Sequence, residues 1–350
     1  MRKTKSRGLF DEHFRLEKIS KIKDPLEQLN QFIRWEDFRP IIDKAFPVTD
    51  PSVGGRPSFD RVMMFKVLVL QRMYNLSDDS TELQILDRLS FCRFLGIGLH
   101  DDVPDSKTIW HFREQLKKHD TIHEIFGLFH EKLQKASLLL KDGAIVDASI
   151  VETPRQRNTR EENKQVREGE IPEDWKENPH KLCQKDIDAS WVKKNGMNFF
   201  GYKNSVKIDN GSKLIDNYVI TSASPHDSEM LEDLLEDTDR GLPLWADSAY
   251  TGNRCKEVID SAGMENHIHE KGHRHKKLTD EQRVQNRIKS QIRARVEHVF
   301  GFQWMNLDGA SLLRFIGFDR CAMAIALRNI IYNFFRAIYL IKTQKLAITL

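Results

Sequence analysis

Residues 244–250, LWADSAY, decide how this chain is expected to fold, because a short apolar run ends there on a single carboxylate, Asp247. Residues 144–152, AIVDASIVE, repeat the arrangement, with Asp147 near the middle of an alternating run rich in β-branched residues. Both stretches have the pattern of β-strands. Two strands that each carry a lone acid predict a site at which the two acids lie together.

The region after residue 140 predicts a mixed α/β domain. Residues 199–209 and 213–223 (FFGYKNSVKID and KLIDNYVITSA) have strand patterns about a tight DNGS turn. Helical and strand-like segments alternate after them, and residues 279–305 predict one long helix. Residues 154–195 are polar and interrupted by prolines, which indicates a long excursion or partly mobile loop.

The region before residue 140 predicts helices throughout. In residues 58–77, SFDRVMMFKVLVLQRMYNLS, apolar residues recur at helical spacing, and Ser58 is the expected N-cap. We therefore expect a helical domain over 1–135, an α/β domain over 136–341 that contains the excursion, and a short tail over 342–350.

The composition limits the class of protein. The chain has 350 residues, of which 39% are hydrophobic, and a net charge of only +3, so overall charge does not indicate a nucleic-acid partner. Its four cysteines form no Cys-x-x-Cys pair, which disfavours a zinc ribbon and favours a reducing, cytoplasmic compartment. Residues 321–341 are apolar enough to suggest a membrane helix, but the arginines and asparagines within them favour a packed helix instead.

A third acid, Glu297, lies in the predicted long helix between Val296 and Val299, close to an apolar face. An acid that points at a core is costly unless it is paired or metal-bound. Three carboxylates from two strands and a helix suit a pair of Mg²⁺ ions that would hold the attacking and leaving oxygens of a phosphodiester. Each acid alone has a simpler explanation, as a turn former, a helix cap or, for Glu297, a salt bridge with Arg293.

Residues 271–295, which we call the basic tract, lead directly into Glu297. Its only acids are Asp280 and Glu281. A solvated helix normally mixes charge signs, so the bias favours a surface that faces phosphates, although a basic face without a partner remains possible. The tract contains these basic residues: Lys271, Arg274, Lys276, Lys277, Arg283, Arg287, Lys289, Arg293 and Arg295.

Histidines cluster in the same region, at His267, His269, His273 and His275. They have neither cysteine partners nor the spacing of helical zinc ligands, so DNA contact or an ordinary surface position is favoured over structural zinc.

The motifs in this order resemble those of DDE transposases of bacterial and archaeal insertion sequences, in the branch named after insertion sequences four and five. The resemblance covers roughly residues 40–335. It rests on the N-terminal helical pattern that begins at GRPSFDRVMMF, on IVDASIV, on DIDASWVKKNGMNFFGYKNSVKID, on ADSAYTG and on RARVEHVFG.

The resemblance implies a ribonuclease H-like catalytic domain after the helical domain, with Asp147, Asp247 and Glu297 as the catalytic, metal-binding triad. Mg²⁺ is the implied cofactor, for which Mn²⁺ could substitute. Arg293 matches the arginine of the branch's Tyr-Arg-Glu-Lys signature, and it would contact phosphate. The chain departs from the branch at three positions: the signature's tyrosine falls at Ser290, its lysine falls near Trp304, and a histidine common in the branch is Ser205.

The expected function is Mg²⁺-dependent cleavage at element ends followed by attack of the 3′-OH on target DNA. The expected partners are terminal inverted repeats, target DNA and a second copy of the chain, with no membrane, and the expected location is the cytoplasm, at the nucleoid. A nuclease without strand transfer and a catalytically silent DNA-binding protein stay open. The candidate DNA contacts are Lys203, Lys276, Lys277, Arg287, Lys289, Arg293 and Arg295.

Overall fold

The computed structural model describes residues 8, 10–47, 57–194, 196–272, 277–307 and 312–350, with the backbone alone at 305 and 306. The chain divides into two compact units. Unit 1 comprises Met1–Phe129 and Ala337–Leu350, and unit 2 comprises His130–Arg336. These boundaries differ from those expected from the sequence. Unit 2 begins at His130 rather than at residue 136, and residues 337–341 group with unit 1.

Every regular element in the described part of unit 1 is helical, as the sequence predicted. The prediction of Ser58 as an N-cap was wrong: Asp60 caps the helix that begins at Arg61, and its Oδ1 accepts the Met63 amide at 2.8 Å. The helices are α1 (Asp11–Lys21), α2 (Pro25–Phe32), α3 (Arg39–Lys44), α4 (Arg61–Met73), α5 (Asp78–Asp87), α6 (Leu89–Leu95), α7 (Ser106–Lys118) and α8 (Thr121–Lys135), whose last turns belong to unit 2.

Unit 2 alternates strands and helices. Its elements are β1 (Ala144–Glu152), α9 (Arg160–Arg167), α10 (Glu173–Glu177), α11 (Pro179–Leu182), β2 (Ser190–Lys194), β3 (Met197–Asp209), β4 (Ile215–Ser222), α12 (Leu231–Leu234), β5 (Pro243–Trp245), α13 (Asn253–Ala262), β6 (Glu265–Asn266), α14 (Asp280–Arg293), α15 (Glu297–Asn306) and α16 (Phe318–Gln344), whose last turns belong to unit 1.

These strands form one mixed sheet. β3 pairs antiparallel with β1 on one side, and on the other with β2 along its first part and β4 along its second. β5 and β6 follow on the far side of β1 and run parallel to it. An antiparallel meander followed by two parallel strands is the sheet of the ribonuclease H-like fold, so the predicted fold class is confirmed.

Side chains alternate between the two faces of the sheet along β1, and helices cover both faces. Ala144 and Val146 pack with leucines of α12 and with Ile259 of α13. Val151, on the opposite face, packs against Cys321 and Ile325 of α16. Asp147 has the same parity as Val151 and therefore projects from the face that α16 covers.

α16 is the apolar stretch that raised the question of a membrane span. Its most apolar window has a mean hydropathy of 1.2, but 83% of that window is buried within the molecule. Its asparagines are buried and bonded: Asn333 pairs with the amide and carbonyl of Ile215 at 2.9 and 2.8 Å, and Asn329 pairs with Asn204. The polar residues that interrupt the stretch thus attach a core helix to the sheet.

Two other expectations need correction. The excursion is not a structureless loop, because it contains α9, α10 and α11 around the fully buried Trp175, whose indole donates to Glu162 at 2.7 Å, and its last residues form β2. The single long helix predicted over 279–305 is divided, because a 3-10 turn at Ala294–Val296 separates α14 from α15.

Candidate active site

The pairing of β1 with β5 brings the two aspartates together. The strands run parallel, with Ala144 opposite Leu244 and Ile145 opposite Trp245. When the same register is extended by two residues beyond Ile145 and Trp245, Asp147 lies beside Asp247. The parallel pairing of neighbouring strands therefore presents both acids at one place, where β5 ends and β1 continues to Glu152.

Asp147 is almost enclosed, since its side chain is only 14% exposed. Burial raises its pKa to about 6, and the negative charges of Asp247 and Glu297 act in the same direction. The Ala148 amide, which donates to Oδ1 at 2.8 Å, and the charge of Arg293 oppose the rise. The guanidinium of Arg293 lies 2.5 Å from Oδ2.

Asp247 comes directly after β5 and caps a 3-10 turn at Ser248–Tyr250. Its Oδ1 accepts the Ala249 amide at 2.7 Å, so a local bond fixes the carboxylate. The next aromatic residue, Tyr250, is fully buried, and its hydroxyl has no hydrogen-bond partner among the described residues. Burial raises the pKa of Tyr250 well above its usual value, and the charges of Asp227, Asp147 and Asp247 add to the effect.

Glu297 is the first residue of α15, and its side chain is 61% exposed. The expectation that it lies against an apolar face was wrong, because Val296 and Val299 occupy that face and Glu297 points away from it. One carboxylate oxygen lies 4.0 Å from Arg293. Arg293 therefore contacts both Asp147 and Glu297.

The donor set fits a hard divalent cation, since Mg²⁺ and Mn²⁺ prefer carboxylate oxygens. A cationic guanidinium already lies against two of the three acids, which shows that their field attracts positive charge. The three do not converge as tightly as a bare metal site, because among the described residues only Asp216, Glu236 and Asp239 place three ligand atoms within 4.8 Å of one another.

That tighter group is a buried ion-pair network rather than a second metal site. Lys207 is fully buried, and its Nζ lies 2.8 Å from Asp216, 3.0 Å from Glu236 and 2.6 Å from Asp239. Burial alone would lower the pKa of Lys207, but Asp216 and Asp239 outweigh it and raise that pKa. An ammonium thus takes the place that a metal ion would need.

The candidate DNA contacts separate into three groups. Lys277, Arg287 and Arg295 are exposed. Lys289 is half-buried and donates to the Ile268 carbonyl at 2.8 Å. Lys203 is buried, with its ammonium 2.6 Å from Asp227, so its charge is neutralised within the protein. The last candidate, Lys276, lies outside the described residues.

His269 is a neighbour of the site that the sequence did not single out from its cluster. Its backbone amide donates to Ala246, and its ring meets the Ser290 hydroxyl at 3.2 Å. Burial and the charge of Arg293 lower its pKa, while Asp247 raises it. The zinc alternative gains no support, because His273 and His275 lie outside the described residues and the metal-type group found elsewhere contains no histidine.

Comparison with protein families identifies the chain. Residues 139–334, more than half of it, match the family described as "Transposase DDE domain". The chain belongs to the DDE transposases. Residues 14–115 of this transposase also match a family described as "Transposase domain (DUF772)", which corresponds to the helices of unit 1.

A solved structure also resembles the transposase: a cryo-EM structure of the piggyBac transposase synaptic complex with hairpin DNA. The two share 12% sequence identity with a TM-score of 0.44, over 97% of this chain and 77% of that one. Such a low TM-score supports no inference, and the fold assignment rests on the strand order.

Proposed function

We propose that the transposase cuts DNA at the ends of an insertion sequence and joins the freed 3′-OH to target DNA, with Asp147, Asp247 and Glu297 as its catalytic triad. The observation that carries the proposal is the parallel register that sets Asp147 beside Asp247, next to Arg293 and Glu297. We place the element in the branch of insertion sequences four and five, on the motifs quoted above.

The three carboxylates hold Mg²⁺, for which Mn²⁺ can substitute, as suits their oxygen donors. Bound divalent metal lowers the pKa of the attacking water and stabilises charge on the leaving oxygen. Burial raises the pKa of Asp147 to about 6, so a cation at this carboxylate favours its charged form most below neutral pH. Arg293 neutralises Asp147 before DNA binds and contacts the scissile phosphate afterwards.

Both reactions are phosphoryl displacements at this site. In the first, a water oxygen attacks phosphorus, the bond from phosphorus to the 3′ oxygen breaks, and a 3′-OH and a 5′-phosphate result. In the second, that 3′-OH attacks a phosphodiester of the target and displaces another 3′ oxygen. Arg287, Arg295 and Lys277 are exposed, and together with Lys276 and Lys289 they guide the phosphate backbone.

The helices of unit 1 bind the terminal inverted repeats, and a second copy of the chain holds the other end, so the active assembly is a dimer or larger. It acts in the cytoplasm, on the nucleoid. The ion pair between the buried Lys203 and Asp227 argues against a DNA role for Lys203.

The test is cleavage of a plasmid that carries the element's own ends, with Mg²⁺, Mn²⁺ or EDTA. We compare wild type with Asp247→Asn and, as a matched control, with Asp260→Asn, an exposed position on α13. Metal-dependent nicking at the ends that survives in Asp260→Asn and vanishes in Asp247→Asn supports the triad, whereas nicking by Asp247→Asn overturns it. Joined products exclude a nuclease without strand transfer, and end binding without cleavage favours a silent DNA-binding protein.

A further inference from the structure

The outer face of α15 carries an aromatic residue in line with Glu297. The inner face of the helix is formed by Val296, Val299 and Gln303, all of which are buried. At 3.6 residues per turn, Glu297 and Trp304 lie on the opposite face, two turns apart. The Trp304 side chain is 60% exposed.

Trp304 differs from its aromatic neighbour in what it contacts. Phe302 packs against Tyr332 and Phe335, with ring centroids 5.5 and 5.6 Å apart, so it belongs to the core. Trp304 makes no ring contact with the described residues. A large aromatic surface left in water can serve as a base-stacking platform, since every nucleobase offers a planar face to stack on it.

Gly301 lies between Glu297 and Trp304 on the same outer face. A Cβ added there would meet nothing within 4 Å, so neither crowding nor backbone conformation requires glycine at this position. Glycine in a helix interior destabilises the helix relative to alanine. The space that Gly301 leaves open is therefore available to a partner that approaches from outside the chain.

We infer that Trp304 stacks on an unpaired nucleobase of the DNA strand whose phosphate is held at Asp147, Asp247 and Glu297, and that Gly301 makes room for the sugar and phosphate between them. The inference rests on the proposed function. Seven residues of helix span about 10 Å, which is about three nucleotides at their stacked spacing. The stacked base therefore belongs to one of the first few nucleotides beside the reacting phosphate, and the transposase prefers ends that are frayed or single-stranded there.

The test is binding of the full-length protein to duplexes that carry the element's terminal sequence with a short single-stranded overhang, in EDTA so that strands stay intact. One overhang has its bases, and a second has abasic sites in their place. The comparison is repeated with Ca²⁺ in place of EDTA, so that the acids hold a divalent cation against the phosphate. We expect Trp304→Ala to bind the base-bearing overhang at least about five-fold more weakly, and the abasic one as wild type does. Trp304→Phe should restore most of the loss, and Trp191→Ala, at an exposed tryptophan on β2, should bind as wild type.

Gly301→Ala supplies a second readout that a folding defect cannot imitate. We expect it to melt at the same or a higher temperature than wild type, yet to bind the base-bearing overhang more weakly. The inference is overturned if Trp304→Ala loses affinity equally for both overhangs, or for neither. Cleavage of the end-bearing plasmid by wild type separates the two proposals. If wild type cleaves the plasmid but Trp304→Ala binds both overhangs as wild type does, only the stacking proposal is rejected. If Trp304→Ala loses affinity for the base-bearing overhang but wild type does not cleave, only the catalytic proposal is rejected.

Discussion

Arg293 and Asp147 lie 146 positions apart in the sequence, yet Nη1 of the arginine approaches Oδ2 of the aspartate to 2.5 Å. The same guanidinium lies 4.0 Å from Glu297. An acid from the central strand and an acid from a helix are therefore joined by one cation that the chain itself supplies. This arrangement reduces repulsion between the carboxylates, and it sets a cation against one of the acids that we propose as metal ligands.

Removal of that cation should affect metal binding and cleavage in opposite directions. We expect Arg293→Gln to bind Mn²⁺ about ten-fold more tightly without DNA, because the competing charge is gone. The same variant should cut end-bearing plasmid at least about ten-fold more slowly, because a phosphate contact is lost. Calorimetric titration and a cleavage assay measure the two effects, with Arg293→Lys as the control that keeps the charge. Unchanged Mn²⁺ affinity in Arg293→Gln would show that the arginine does not compete with metal.

The ion-pair network around Lys207 should be structurally essential. Lys207→Met removes the nearest ammonium from Asp216, Glu236 and Asp239, and breaking a buried ion pair costs about 3–5 kcal/mol. Urea unfolding should show a loss of that order, whereas Lys193→Met, at an exposed position on β2, should change little. Equal stability of the two variants would contradict the role assigned to the network.

The excursion should open in acid. The Thr159 amide, the Trp175 indole and Lys181 together hold the pKa of Glu162 at about 2 instead of 4.5. A carboxylate whose pKa is lowered by folding stabilises the fold above its unfolded pKa, and this stabilisation is lost as pH falls from about 4.5 toward 2. Trp175 reports the change, because it is buried and bonded to Glu162.

The measurement for the excursion is tryptophan fluorescence against pH, with Trp175→Phe subtracted to isolate the one indole. We expect a red shift across that window in wild type. Glu162→Gln should show no such transition, since the amide does not titrate. A wild-type curve that stays flat down to pH about 2 would exclude Glu162 as the group that controls the excursion.

The asparagines of α16 should support stability. Asn333→Leu leaves both the amide and the carbonyl of Ile215 without the partner they have at 2.9 and 2.8 Å. Each buried unpaired group costs about 1–3 kcal/mol, so we expect the free energy of unfolding to fall by about 2 kcal/mol or more. The control, Gln285→Leu, makes a similar change at an exposed position on α14 and should leave the urea midpoint nearly unchanged. A neutral Asn333→Leu would mean that water or a shifted backbone replaces the lost bonds.

The exposed part of the basic tract should set the salt dependence of DNA binding. If Arg287 neutralises one phosphate, Arg287→Ala should reduce the slope of log affinity against log salt by about 0.9. Lys256→Ala removes an equally exposed charge from α13 and should leave the slope as it is. Affinities measured over a series of salt concentrations distinguish the two, and identical slopes for both variants would place the DNA away from α14.

Much of the catalytic unit could be predicted because its signals are local. Alternation in AIVDASIVE marks a strand, and the tight DNGS turn between two strand patterns marks the hairpin of β3 and β4. The capping glycine of α13, Gly263, has φ of 66°, as a helix that ends on glycine usually requires. The excursion was harder to predict, because its helices are short and depend on contacts with Trp175 that sequence periodicity does not reveal.

For the three acids, too, the sequence predicted some properties and not others. Their identity as candidates came from motif order, but the exposure of Glu297 did not, since apolar neighbours in the sequence do not orient a side chain, and at 3.6 residues per turn Glu297 lies on the face of α15 opposite Val299. His269 and Tyr250 reach the site through the return of the chain along β6 and the turn after β5, and neither carries a periodic signal. Lys203 has the appearance of a free cation in the sequence, but the fold pairs it with Asp227.

The sequence by itself determined the fold class, most of the strands and the family, because alternation, turn residues and motif order are properties of short segments that stay the same wherever the segments pack. Only the tertiary structure decided which charges meet. The register of β1 on β5 brings Asp147 to Asp247, the packing of α15 leaves Glu297 exposed, and Arg293 lies between Asp147 and Glu297. Electrostatic energies depend on distance and burial, and for residues a hundred or more positions apart both are set by the packing of the whole unit.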